Sequence, residues 1–141
     1  MQVSKSPAQI PPQPQDCEGF LPLKAVEGLE LFNRGHYWEA HEALEAAWRA
    51  ETGPVRELYR GVLQAGVVYL HITRQNYAGA MKVYHRSQKW LTLWPDICRG
   101  IAIGQLQKDL KNAILEMQAL GPDRMAEFDL SLLKPVVYEA N

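Results

Sequence analysis

The stretch best equipped for chemistry is His41-Glu42-Ala43-Leu44-Glu45, which has the form His-Glu-x-x-Glu. Positions four apart share one face of a helix, so His41 and Glu45 set an imidazole beside a carboxylate. In zinc proteases the same frame ends in a second histidine. Here it ends in a carboxylate, which leaves His41 and Glu45 as the two candidate metal ligands. A third would have to come from His71, His85 or Glu42. The alternative chemistry is acid–base and hydrolase-like, with His41, Glu42 and Glu45 moving protons. The Glu-x-x-His pattern of di-iron bundles is broken, because Trp38 stands three residues before His41. There is no Ser/His/Asp order, no phosphate-binding glycine loop and no setting for a cysteine nucleophile. The sequence therefore assigns no catalytic residue, and no metal or cofactor is expected.

The same residues support a non-catalytic reading. Trp38, His41, Glu42, Glu45, Trp48 and Arg49 recur three and four apart, forming an aromatic and acidic helix face. Arg56, Arg60, Gln64 and His71 form a polar stripe on the next helix, and Gly53-Pro54 between them makes the two helices antiparallel neighbours. Counting outward from Gly53 sets Glu45 opposite Arg60, His41 and Glu42 beside Gln64, and Trp38 near His71. A buried polar group without a partner costs about 1–3 kcal/mol. The count therefore predicts a Glu45–Arg60 ion pair with His41, Glu42 and Gln64 hydrogen-bonded alongside. Trp38, His41, Glu42, Glu45, Trp48, Arg60, Gln64 and His71 are the candidate binding cluster, or else a purely structural network that sets helix register. The leading expectation is a non-enzymatic module that binds a small ligand or a protein partner, with the enzyme as the alternative. A third reading takes Lys82, His85, Arg86 and Lys89, backed by Trp90 and Trp94, as a nucleic-acid or phosphate patch. A net charge of −1 works against it. Trp90 and Trp94 also read as an exposed interaction surface.

These residues must be positioned by helices. Leu23, Val26, Leu29 and Phe32 recur at helical spacing, which predicts a first helix over 22–34 with Gly35 as its C′ cap. A second, rich in Ala, Glu and Leu, is expected from 36 or 37 to about 51. The third, over 54–74, opens with Pro54 and is apolar around most of its circumference from Val62 onward, as in the middle of a bundle. Asn76 caps a fourth that runs to about 94 and stops at Pro95. Leu106, Leu110, Ala113, Met117 and Leu120 mark a fifth, closed by Gly121-Pro122. A short helix near 123–128 and an irregular tail that contains Pro135 follow. No stretch alternates with period two, so no sheet is expected. The reading is all-α: a compact bundle of about five helices whose central antiparallel hairpin is formed by the second and third. Tyr37, Ala40, Leu44 and Ala47 repeat as Tyr77, Ala80, Tyr84 and Ser87 forty residues on, a weak sign of repeated hairpin packing.

With 141 residues, 47% hydrophobic and 22% charged, the chain has the size and composition of one ordinary globular domain. We expect a disordered Pro-rich tail over 1–20 and a single helical domain over 21–141. The apolar run from Val62 to Ile72 is far shorter than the roughly 20 residues a bilayer demands, so no membrane role is expected. Cys17 and Cys98 fit no metal or redox spacing, and the polar leader has no apolar segment of the secretory kind. The expected setting is reducing and cytoplasmic.

The run Leu31-Phe32-Asn33-Arg34-Gly35-His36-Tyr37-Trp38-Glu39-Ala40-His41-Glu42-Ala43-Leu44-Glu45-Ala46-Ala47-Trp48-Arg49 resembles the domain of unknown function 309 family of bacteria, archaea and plastid lineages. Arg56-Glu57-Leu58-Tyr59-Arg60-Gly61-Val62-Leu63-Gln64, then His71, then Asn76-Tyr77-Ala78-Gly79-Ala80 extend the likeness over about residues 28–91. Val62, Gly66 and the Pro-rich leader depart from the usual pattern without touching its signature. The resemblance implies a compact, all-helical bundle and attention to His41, Glu42, Glu45, Trp48, Arg60, Gln64 and His71. It carries no catalytic role.

Overall fold

The computed structural model describes residues 12–139. Its frame is four consecutive helices, α1 (Leu23–Asn33), α2 (Tyr37–Ala50), α3 (Arg56–Thr73) and α4 (Tyr77–Leu91), each packed on the next. A two-residue hairpin, β1 (Ile97–Cys98) and β2 (Ile101–Ala102), then leads into α5 (Ile103–Leu120). Short 3-10 turns lie at Pro14–Cys17, Pro122–Glu127 and Leu130–Leu132. The all-α reading and its central antiparallel pair, α2 and α3, hold.

The helix ends follow local chemistry. At the end of α1 the Gly35 amide donates to the Phe32 carbonyl and the His36 amide to the Leu31 carbonyl, each at 2.9 Å. This double closure needs a left-handed residue, and Gly35 supplies it at φ +80°. At the end of α3 the same closure recurs, Gln75 to Ile72 at 3.0 Å and Asn76 to His71 at 2.8 Å, with Gln75 at φ +56°. The repeat at a spacing of forty therefore describes two hairpins with the same turn. Pro54 stands two residues before α3 rather than in its first turn: Pro54 and Gly53 carbonyls accept from the Glu57 and Arg56 amides, a tight lead-in before regular helix.

The helices close on one apolar core. Leu29, Phe32, Leu44, Leu58, Tyr59, Val62, Val68, Tyr69 and Ile72 are almost fully buried, and α5 adds Leu106, Leu110, Ala113 and Met117. Phe32, Tyr37 and Tyr69 form an aromatic triangle with ring centres 5.4 to 5.7 Å apart, which locks α1, α2 and α3 together. Each leucine-sized side chain taken from water contributes about 2 kcal/mol, so this core dominates the stability. The C-terminal segment is stitched on by Asn33, whose side chain donates to the Val136 carbonyl and accepts from the Val136 amide at 2.9 and 2.7 Å.

Three expectations are corrected. Cys17 and Cys98 form a disulfide, with Cα atoms 4.5 Å apart. Their separation along the chain, 81 residues, hid a contact that only folding creates. Within the leader, residues 12–20 do not behave as a free tail: the Pro14–Cys17 turn is bonded to the hairpin through Cys98, and the Arg99 amide donates to the Cys17 carbonyl at 3.0 Å. Residues 1–11 lie outside the described residues. A sheet exists, although a minimal one: Ile97 pairs with Ala102 and Cys98 with Ile101, joined by Arg99 and Gly100 at φ +49° and +80°. Two residues per strand are too few for an alternation to be seen in sequence.

Candidate functional site

The polar cluster centres on Arg60, and its partners differ from those expected. Arg60 projects from α3 toward α2 on one side and α4 on the other. Its guanidinium carbon lies 4.7 Å from the Trp48 ring centre and 4.5 Å from that of Trp90. An arginine held against two indoles gains cation–π attraction from both, about 0.5–1 kcal/mol each at a partly exposed site. Its carboxylate partner is Glu57, one turn earlier on α3, at 3.4 Å. Glu57 is 3% exposed and also accepts from the Trp48 indole N–H at 3.3 Å. Arg56 stacks on the same Trp48 ring, 4.7 Å from its centre. Sequence reasoning passed over Glu57. Its signal was present in the i, i+3 spacing to Arg60, but a glutamate in the first turn of a helix reads equally as a solvated N-terminal charge.

Glu45 does not pair with Arg60. One of its carboxylate oxygens takes Arg49 at 2.5 Å and the other faces His41 Nε2 at 3.5 Å. All three residues are on α2, where i, i+4 spacing lets Glu45 find both partners on its own helix without crossing to α3. Helices α2 and α3 lie side by side as the spacing implies, but the carboxylate that meets Arg60 is Glu57 and not Glu45.

Five of the eight cluster residues line one open cleft of about 140 Å³: His41, Glu45 and Trp48 from α2, Arg60 and Gln64 from α3, with Leu63 beside them. The other three lie elsewhere. Trp38 is half exposed and stacks on His41 from outside, ring centres 5.3 Å apart and planes within 15°. Glu42 is exposed and lines a neighbouring surface hollow with Glu45, Ala46 and Arg49. His71 belongs to the α3–α4 turn. There Asn76 accepts from the Gly79 amide through Oδ1 at 2.9 Å, which leaves its Nδ2 donating to His71 Nδ1 at 3.1 Å. That contact needs an unprotonated Nδ1, and burial, with Arg74 close by, holds the imidazole below its ordinary pKa. A side chain at Gly79 would come within 2.8 Å of the His71 ring. His71 is thus part of a helix cap, displaced from the nearest cleft residue, Gln64, by about two turns of α3.

The cleft leaves hydrogen-bonding capacity unmet. Arg60 carries five N–H donors and uses one. Gln64 makes no hydrogen bond within the described residues. His41 Nδ1 is buried without a partner. For a metal, His41 and Glu45 are the one adjacent pair on α2, but Arg49 already occupies Glu45, and no group of three His, Cys, Asp or Glu side chains comes together among the described residues. The basic face of α4 is present, with Lys82, His85, Arg86 and Lys89 all exposed. Trp90 and Trp94 behind it are both 8% exposed, so they are core-facing and not an exposed surface. In a helix otherwise flanked by basic residues, a tryptophan pair reads as surface until the packing of α3 is known.

Residues 25–83 match the sequence profile of the family described as Domain of unknown function (DUF309). No curated protein matches the chain. The matched span runs from α1 into α4 and contains every residue of the cleft, while Trp90, which covers Arg60 from α4, falls just beyond it. No helix among the described residues is long and apolar enough to cross a membrane.

Proposed function

We propose that the chain, whose residues 25–83 match the DUF309 family profile, is a non-enzymatic binding module whose ligand site is the α2–α3 cleft. The observation that carries this is Arg60: its guanidinium is held by two tryptophans and Glu57, yet four of its donors have no partner among the described residues. A charged group rigidly oriented, one-third exposed and short of hydrogen bonds is arranged to meet something from outside. A residue serving only to set helix register would be expected to have its donors filled. Trp48 and Leu63 give the cleft an apolar wall, and Gln64 and His41 supply directing groups around it.

The enzyme reading would use His41 and Glu45. Arg49 on Glu45 works against it, since a guanidinium seated on a carboxylate blocks its approach to a substrate proton. Glu42 does not line the cleft, so the carboxylate that would complete a proton-transfer set lies outside it. The basic α4 face has no aromatic platform of its own, because Trp90 and Trp94 are buried, and this weakens the nucleic-acid reading.

The test is a screen of small metabolites by tryptophan fluorescence and thermal shift on the full chain, repeated on Trp48→Phe. A response that is saturable in the native chain and lost in Trp48→Phe is expected. Silence across the library, or a response unchanged by removing Trp48, would overturn the site.

A further inference from the structure

We propose that the ligand group recognised in this cleft is a carboxylate on a short apolar stem. This rests on the binding-site reading above and narrows it to one chemistry. The free capacity of the cleft is mostly donor: Arg60 contributes four N–H groups and Gln64 its amide. The carboxylates, its charged acceptors, are already engaged. Glu45 is taken by Arg49 and His41, and Glu57 by the Trp48 indole and Arg60 itself. A surplus of fixed donors calls for an acceptor-rich guest.

The planar fork of arginine fits a carboxylate with two parallel hydrogen bonds, and the indoles against the guanidinium hold it in one plane before the guest arrives. Gln64 stands one helical turn beyond Arg60, within reach of the same carboxylate. A phosphate dianion fits less well, because Glu45 lines the same cleft and Glu57 already pairs with Arg60, and both would repel a second negative charge. Size sets a further limit. About 140 Å³ is well below the 300–1,000 Å³ of drug-sized pockets, so the buried part of the guest is the head group and a few carbons lying on Trp48 and Leu63. The same head group occurs on free short-chain acids and at the C-terminus of a peptide.

The experiment titrates the full chain with butanoate, butanamide and inorganic phosphate, following tryptophan fluorescence and melting temperature. Parallel arms use a short peptide ending in an apolar residue, once with a free C-terminus and once amidated. The expected result is a saturable response to butanoate that exceeds those to butanamide and phosphate by roughly tenfold or more in apparent affinity. Arg60→Lys should remove most of it and Gln64→Ala part of it, while Arg86→Ala on the α4 face leaves it unchanged. Circular dichroism confirms that each variant is folded, and Gln64→Ala, a partly exposed position, serves if Arg60→Lys is not. Preference for the free-ended peptide over the free acid identifies a chain terminus as the source, and the reverse identifies a small acid. Equal responses to butanoate and butanamide overturn the carboxylate while leaving the binding site standing. No response to any probe, together with a silent metabolite screen, overturns both.

Discussion

Two arginines hold this molecule together, and they do it in opposite ways. Arg99 sits in the β1–β2 turn and donates to the Asp16 carbonyl at 3.0 Å, the Phe20 carbonyl at 3.4 Å and the Tyr59 hydroxyl at 3.2 Å. It is a knot that ties the leader to α3 beside the Cys17–Cys98 disulfide. Arg60 sits on α3 and touches two tryptophan faces and one carboxylate, with most of its donors unbonded. Both are partly buried and both bridge separate parts of the chain, so burial alone does not separate them. Hydrogen-bond satisfaction does. A structural arginine is surrounded by oxygens from its own chain, whereas an arginine kept for a guest is oriented by groups that leave its N–H fork free.

That contrast can be broken by experiment. Removing the knot should cost the most stability and leave binding intact. The double change Cys17→Ser with Cys98→Ser, or reduction by a dithiol, should lower unfolding free energy by about 4 kcal/mol in urea titration, because the bridge closes a long loop. Butanoate titration of the reduced but folded protein should be unaltered; if binding is lost with the disulfide, the two arginines are not independent. Glu57→Ala strips Arg60 of its carboxylate and Trp48 of its indole acceptor, and should cost about 2 kcal/mol while loosening ligand affinity. Arg99→Ala should cost a similar 2 kcal/mol, measured the same way, with no change in affinity. Glu45→Gln should shift stability by less than about 1 kcal/mol, since its pairs with Arg49 and His41 are on the surface of one helix. A large loss there would restore the cross-helix pair that the spacing alone had indicated.

The smallest effect concerns pH. In the folded chain His71 resists protonation more than in the unfolded chain, mainly through burial and also through Arg74. Its contribution is therefore complete above about pH 6.5 and declines as pH falls toward its lower folded value. Melting temperature should drop slightly across that interval, and His71→Gln should flatten the drop. Since His71 lies in the turn and not in the cleft, the same substitution should leave ligand affinity alone.

Much of the fold was legible because it depends on near neighbours. The end of α1 and the starts of α2 and α4 follow from Gly35 and Asn76, residues whose effect is local, whereas α4 ends at Leu91, short of the expected stop before Pro95; the pairing of α2 with α3 follows from a short connection. The cleft was half legible. Its members from α2 and α3, His41, Glu45, Trp48, Arg60 and Gln64, share helix faces that periodicity reveals. Which of them touch was not legible, since Glu45 can meet Arg49 on its own helix as easily as Arg60 on the next. Glu57 was hidden by its position in the first turn of α3, and Trp90 by its basic neighbours.

By itself the sequence determined that this chain makes helices, where most of them begin and end, and that a polar stripe runs down each side of the α2–α3 hairpin. Those outcomes rest on backbone chemistry and on a period of 3.6 residues, both short-range. Only the tertiary structure decided that Trp90 from α4 would close over Arg60, that Glu57 would back it, that His71 would turn aside into a cap, and that Cys17 would reach Cys98. Each of these joins residues whose separation in space depends on how whole helices pack, and packing is decided by the sum of the core rather than by any one stretch of chain.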